Sequence, residues 1–217
     1  MFPDSRAFPD DSGRKYQGTG RLDIRSAMSG SPYPVRMPAS PQHIATQLLG
    51  DVGTRLLHTQ AVARQASMVT ELLKDRWKCA IVDAAWLHDI GHSPTLSSSG
   101  FHPLDGARWL RAEGFSEDTC SLVAWHTGAI WEARERGLEN ELLGEFASPP
   151  PSALDALTWA DLTSSPSGEL ISPEVRLDEI LDRYEPSSAV HRAIVAGWKD
   201  LQESTSRIEQ LLGVRND

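Results

Sequence analysis

The chain has 217 residues, 40% hydrophobic and 24% charged, with a formal net charge of −9. That length suits one domain with a sizeable core, and the composition is that of a soluble globular protein. The acidic balance argues against a nucleic-acid duplex as partner, because phosphate backbones are met by basic faces.

No apolar run is long enough to span a membrane, and no charged start leads into an apolar signal core, so a cytoplasmic location without a membrane partner is expected. Cys79 and Cys120 lie far apart without a CxxC pattern and read as reduced small hydrophobes.

Residues 1–40 mix Pro3, Pro9, Pro32, Pro34 and Pro38 with Ser, Gly and charge, and carry no sustained apolar period. Such a segment buries too little to offset its ordering entropy and is expected to be a disordered tail. The folded part begins at Pro41, with a short helix through Ile44, Leu48 and Leu49 that Gly50 ends. A helix over 52–73 follows, with His58, Val62, Ala66, Val69 and Leu73 on one stripe, which turns His58 inward. The next, over 77–90, brings Ile81, Ala84, Ala85 and His88 to one face. Asp89 is one step round, and Gly91 suits a helix stop.

The segment 93–101 is rich in Ser, Pro and Gly and reads as a loop. His102 and Pro103 then open a helix to Arg111, and Gly114 breaks it. Ser116, Glu117 and Asp118 start another helix to about Gly128, on which Leu122 and Val123 share a face with His126. Residues 129–136 prolong the helical pattern, and Ser148-Pro-Pro-Pro-Ser152 is an interruption further on. Leu154, Leu157 and Asp161 then repeat at helical steps. An aspartate on such a stripe is costly unless paired or bound to a cation. Two further helices use Leu177, Ile180, Leu181 and Tyr184, then Val190, Ile194, Trp198, Leu201 and Ile208. With no alternating strand pattern and no repeat, the fold class is all-α.

His58, His88, Asp89, His102, His126 and Asp161 therefore lie on or beside the inward faces of successive helices. Each alone has a structural reading, as a buried imidazole bonded to a carbonyl or an aspartate capping a helix. Five separate segments directing such groups inward point instead to a metal site, since divalent cations take imidazole nitrogens and carboxylate oxygens held on rigid elements. There is no P-loop, no GxGxxG after a strand and no nucleophile elbow. Trp86, Trp109, Trp125, Trp131 and Trp159 fall near the ligand segments, and core packing is the expected role for most of them.

The order His58, then His88-Asp89, then Asp161 resembles the histidine–aspartate (HD) domain superfamily of metal-dependent phosphohydrolases. His102 and His126 resemble the additional histidines of its binuclear branch. Gly100-Phe-His-Pro-Leu-Asp-Gly-Ala107 and Trp125-His-Thr127 are similar to segments of that branch, and the likeness runs from about Arg55 to Ser165. It implies an all-helical domain over 41–217 with two divalent metal ions, iron or manganese being suited to the mixed donors. One ion would take His58, His88, Asp89 and Asp161. The other would take His102 and His126, with Asp89 bridging.

The implied reaction is hydrolysis of a phosphate ester or anhydride, a nucleotide first among the small-molecule substrates, by a metal-bridged hydroxide. Asp89 and His92 are the candidate catalytic residues, and Arg55 and His92 the candidate substrate contacts. His92 stands where many hydrolases of the superfamily carry lysine, and its roles run from phosphate contact to proton donor to helix-end cap.

The same departure supports an alternative within the superfamily, a mixed-valent di-iron oxygenase that cleaves a C–H and then a C–C or C–P bond. Some of these carry HDIGH-like strings, and Gly106-Ala-Arg-Trp-Leu-Arg111 is similar to theirs. Thr158-Trp-Ala-Asp-Leu-Thr-Ser164 resembles instead an HD group usually assigned to hydrolysis, so hydrolysis is the reading carried forward. A third class, a non-catalytic nucleotide-binding module signalling through the last helix, would be favoured by a lost ligand, and none is lost. That helix exposes Lys199, Asp200, Glu203, Arg207 and Glu209, the pattern of a solvated face.

Overall fold

Serine caps and early prolines open six of the ten α-helices found among the described residues of a computed structural model, 39–73 and 76–213. The helices are α1 (Pro41–Leu49), α2 (Arg55–Leu72), α3 (Lys78–Leu87), α4 (His102–Ala112) and α5 (Glu117–Trp125). They continue with α6 (Ala129–Arg136), α7 (Glu139–Glu145), α8 (Pro151–Leu162), α9 (Pro173–Arg183) and α10 (Ala189–Leu212). No β-strand occurs among the described residues beyond one isolated bridge between Ser164 and Leu170, so the chain is all-α as expected. The expected tail, 1–40, lies outside the described residues except for Ala39 and Ser40. Ser40 accepts a hydrogen bond from the His43 amide and so caps α1. No helix among the described residues is long and apolar enough to cross a membrane.

The core is built around α8, which is buried on nearly every side from Ala153 to Leu162, as an all-round apolar helix must be. It packs against α2, α3 and α10, while α4 lies on α5 and α10 also covers α6. Besides Asp161, α8 buries a second charged side chain. Asp155 on α8 accepts from Ser204 Oγ at 2.7 Å and from Arg207 Nε at 2.6 Å and Nη2 at 2.8 Å. Arg207 is thus a clasp between α10 and α8 rather than a merely solvated charge.

Several boundaries differ from the expected ones, each for a local reason. α2 starts at Arg55 because Gly53 takes a left-handed conformation (φ 55°) that no helix continues. α3 stops at Leu87, and the chain tightens into a 3-10 turn at Ile90–His92. Gly91 is not a left-handed stop. A Cβ there would lie 2.0 Å from the His102 carbonyl oxygen and 2.9 Å from the Gly106 nitrogen, so glycine is required for close approach to α4. α5 ends at Trp125 rather than near Gly128, because Thr127 is left-handed (φ 41°). α7 was not legible in the pattern and buries Leu142.

Cys120 is buried, as a small hydrophobe should be, whereas Cys79 is exposed. Trp159 sits in the core, and Trp131 packs so closely on α10 that a Cβ at Gly197 would lie 2.4 Å from its Cδ1.

Candidate metal centre

All six expected ligands come from helix ends. His58 is one turn into α2, and His88-Asp89 follows the last turn of α3. His102 is the first residue of α4, His126 caps α5, and Asp161 is in the last turn of α8. The ends meet in one place. His58, His88 and Asp161 each offer a ligand atom within 4.8 Å of the others, and Asp89, His102 and His126 do the same. The two triads adjoin through ring contacts, His88 standing 5.4 Å from His58 and 5.2 Å from His126 between ring centroids.

The backbone fixes which nitrogen faces inward. His88 Nδ1 is 3.0 Å from the Ala85 carbonyl oxygen, His126 Nδ1 is 2.6 Å from that of Val123, and His58 Nδ1 is 3.3 Å from that of Ser165. With Nδ1 donating to a carbonyl, Nε2 is left as a lone pair, the tautomer a metal requires and the support metal-bound histidines usually receive. His88 Nε2 is buried and has no hydrogen-bond partner. A buried polar atom in that condition is costly unless something else fills its place. His102 Nε2 and His126 Nε2 face each other at 3.2 Å.

The charges interlock. His58 Nε2 lies 3.0 Å from Asp161 Oδ1. Burial opposes protonation of His58, yet the Asp161 carboxylate beside it holds its pKa above the ordinary value. Burial pushes His88 and His102 down, and His92 to about 4. Burial works against ionising Asp89 and Asp161, but His88 and Arg55 around the first, and His58 and His88 around the second, keep both well below the usual carboxylate range. Ionised carboxylates beside the neutral imidazoles of His88 and His102 are the protonation states that cations bind, while at His58 a cation would have to displace the proton that Asp161 favours.

Asp89 Oδ1 faces both triads, at 3.7 Å from His88 Nε2 and 3.5 Å from His102 Nε2. Its Oδ2 accepts from Arg55 Nη1 at 2.7 Å. A bridge using one oxygen per ion would therefore have to share Oδ2 with Arg55. His92 Nε2 is 3.6 Å from Asp89 Oδ1, and its ring stacks on His102 at 3.8 Å. Both Arg55 and His92 line a cavity of about 350 Å³ with the six ligand-type residues, apart from His88, which lies behind it. None of the tryptophans lines that cavity.

Four residues of the site carried no expected role. Thr127, a β-branched residue held in the left-handed region, donates its hydroxyl to Asp161 Oδ2 in a short hydrogen bond. Strain of that kind persists only where surrounding packing enforces it. Arg176 and Arg183 of α9 also line the cavity. The one sequence signal for them is two arginines two turns apart, flanking the apolar positions Leu177, Ile180 and Leu181. Asp105 anchors the loop over the site, accepting from the Ser98 amide at 3.0 Å and the Ser99 amide at 2.9 Å.

Comparison with known families adds one finding. A family model described as HD domain matches residues 55–187, more than half of the chain. No curated protein and no solved structure matches.

Proposed function

The chain belongs to the HD-domain family, and from that premise we propose that it is a metal-dependent phosphohydrolase acting on a small phosphate ester or anhydride, with nucleotides the first class to test. The observation that carries this reading is the pair of adjoining triads, with His88 Nε2 buried and unpartnered between them. The proposed ligands are His58, His88, Asp89, His102, His126 and Asp161, and their mixed nitrogen and oxygen donors suit iron or manganese. Divalent cations held there would supply the charge that lowers the pKa of water and draws electron density from a phosphoryl group.

The side chains around them divide the remaining work. Asp89 directs Oδ1 to both triads, and Arg55 fixes that orientation through Oδ2. Thr127 fixes Asp161 in the same manner. His92, beside Asp89 and stacked on His102, is placed to hold or pass a proton at the edge of the cavity. The free thiols of Cys79 and Cys120 accord with a reducing compartment such as the cytoplasm.

The test is metal content together with phosphate release from a nucleotide and phosphomonoester panel. Asp89→Ala is expected to lose both ions and all turnover, and His126→Ala mainly one ion. Full activity in either variant refutes the assignment.

One observation favours a second reading. His92 turns toward Asp89 and His102 rather than standing as a lysine-like cation, as an oxygenase of the same ligand set would allow. A mixed-valent di-iron EPR signal that shifts on adding substrate, without phosphate release, would replace hydrolysis by oxygenation.

A further inference from the structure

Beside the main cavity lies a second of about 300 Å³, and the two share Arg55, His58, Arg176 and Arg183 in their walls. Val52, Gly53, Thr54 and Pro166 complete the smaller one. Thr54 is the N-cap of the 18-residue α2 but makes no side-chain cap bond, so the positive end of a long helix dipole faces this space.

The three arginines have few counter-charges. Arg55 is paired with Asp89. Arg176 and Arg183 share a single carboxylate, Glu179, which accepts from Arg176 Nη1 at 2.7 Å and from Arg183 Nη2 in a short bond. Among the described residues Glu179 is the one carboxylate bonded to either guanidinium, and the Asp161 carboxylate, which also feels the charge of Arg176, is already engaged by His58 and Thr127, so hydrogen-bonding capacity on the two arginines is left over for an anion. Arg176 is only 7% exposed, and its Nε is buried without a hydrogen-bond partner. A buried, under-satisfied guanidinium is costly unless an anion completes it. Glu179 meanwhile holds both side chains in place, so little rotamer freedom remains to be lost on binding.

We propose that this side cavity is a second anion subsite, in which Arg176 and Arg183 hold an anionic group of the substrate remote from the one that reacts. The substrate class is then a small molecule with two separated anionic groups, such as a bisphosphate. The subsite rests on the metal-centre reading for where the reacting group sits, and does not require that the reaction be hydrolysis. Planar guanidinium forks suit phosphoryl oxygens because each donates two parallel hydrogen bonds.

The experiment is calorimetric titration of the manganese-loaded full chain with inorganic phosphate and with α,ω-alkanediol bisphosphates of increasing chain length. The best bisphosphate should bind about tenfold or more tightly than phosphate, the scale of one or two charge-assisted hydrogen bonds. In Arg183→Gln and Arg176→Lys that ratio should collapse toward unity. Arg183 is partly exposed at the surface, so its variant decides the matter if Arg176→Lys does not fold. No bisphosphate advantage in the native chain, or an equal loss for phosphate and bisphosphate in the variants, overturns the subsite. Phosphate release is followed on the same samples. A bisphosphate advantage without release would leave the subsite standing and remove hydrolysis, whereas release without the advantage would do the reverse.

Discussion

Replacing Gly91 by alanine tests the link between backbone contact and metal geometry. The added Cβ would lie 2.0 Å from the His102 carbonyl oxygen, 2.8 Å from its carbon and 2.9 Å from the Gly106 nitrogen. All three are backbone atoms, so no rotamer change relieves the clash. Contacts under 3.0 Å are not tolerated, and the start of α4 must therefore move about 1 Å from the 3-10 turn at least, a distortion of the overpacking kind that costs roughly 3 kcal/mol. His102 is the first residue of α4 and moves with it. Its Nε2 is 3.2 Å from His126 Nε2, and metal–ligand distances tolerate only about 0.2 Å. Gly91→Ala should thus lose the ion shared by Asp89, His102 and His126 before the other. Urea unfolding of the metal-free protein measures the stability term, and manganese titration measures the ion count. Gly144→Ala is the control, since its Cβ meets nothing within 4 Å and alanine is the better helix former. If Gly91→Ala unfolds at the native urea midpoint and binds metal as the native chain does, the close-approach argument is wrong.

Thr127→Val keeps the side-chain shape but removes the donor to Asp161, and metal affinity is expected to fall about 10–100-fold, as for other partners of ligands. Competition with a fluorescent chelator reads this directly. Asp155→Ala strands the buried Ser204 hydroxyl and frees Arg207, for an expected loss of about 2–3 kcal/mol in urea unfolding with the metal count unchanged. Chelation should lower the melting temperature of the native chain by about 5–10 °C, the equivalent of roughly 2.7 kcal/mol of linkage at a hundredfold excess of ion over Kd. In His88→Ala the shift on chelation should shrink as the ion of the His58, His88 and Asp161 group is lost, and an unchanged shift would show that the stabilising ion binds elsewhere.

Most of the fold was legible because its helices announce themselves twice, by an apolar stripe and by a terminal signal. Ser116 before Glu117 and Ser40 before Pro41 are both caps in the structure. The stripe of α2 is buried at His58, Val62, Ala66 and Val69. α7 has neither signal. Its residues Glu139-Asn-Glu-Leu-Leu-Gly-Glu145 contain a glycine and a single fully buried apolar position. What holds it is tertiary, Arg108 reaching Glu141 and Glu145 from α4, and such pairing leaves no periodic trace in sequence. Thr127 is similar. Its left-handed backbone is imposed by the packing around it, and threonine's own preference argues against that conformation.

The proposed ligand set was legible for an energetic reason, which also explains what was missed. A histidine or aspartate on an apolar stripe has no inexpensive explanation, so six of them on five segments converge on one conclusion. An arginine next to a stripe does have one, because its long stem ordinarily carries the charge out to water. Arg176 departs from that default only in three dimensions, where Glu179 holds it and the walls of two cavities close over it. Ligands to a small cation must converge on a point, and the proposed ones lie at helix ends whose positions the stripes already implied. Contacts to a larger anion need only line a wall, and the proposed one is made by α9 and the turn before α2, two segments that meet only once the chain has folded.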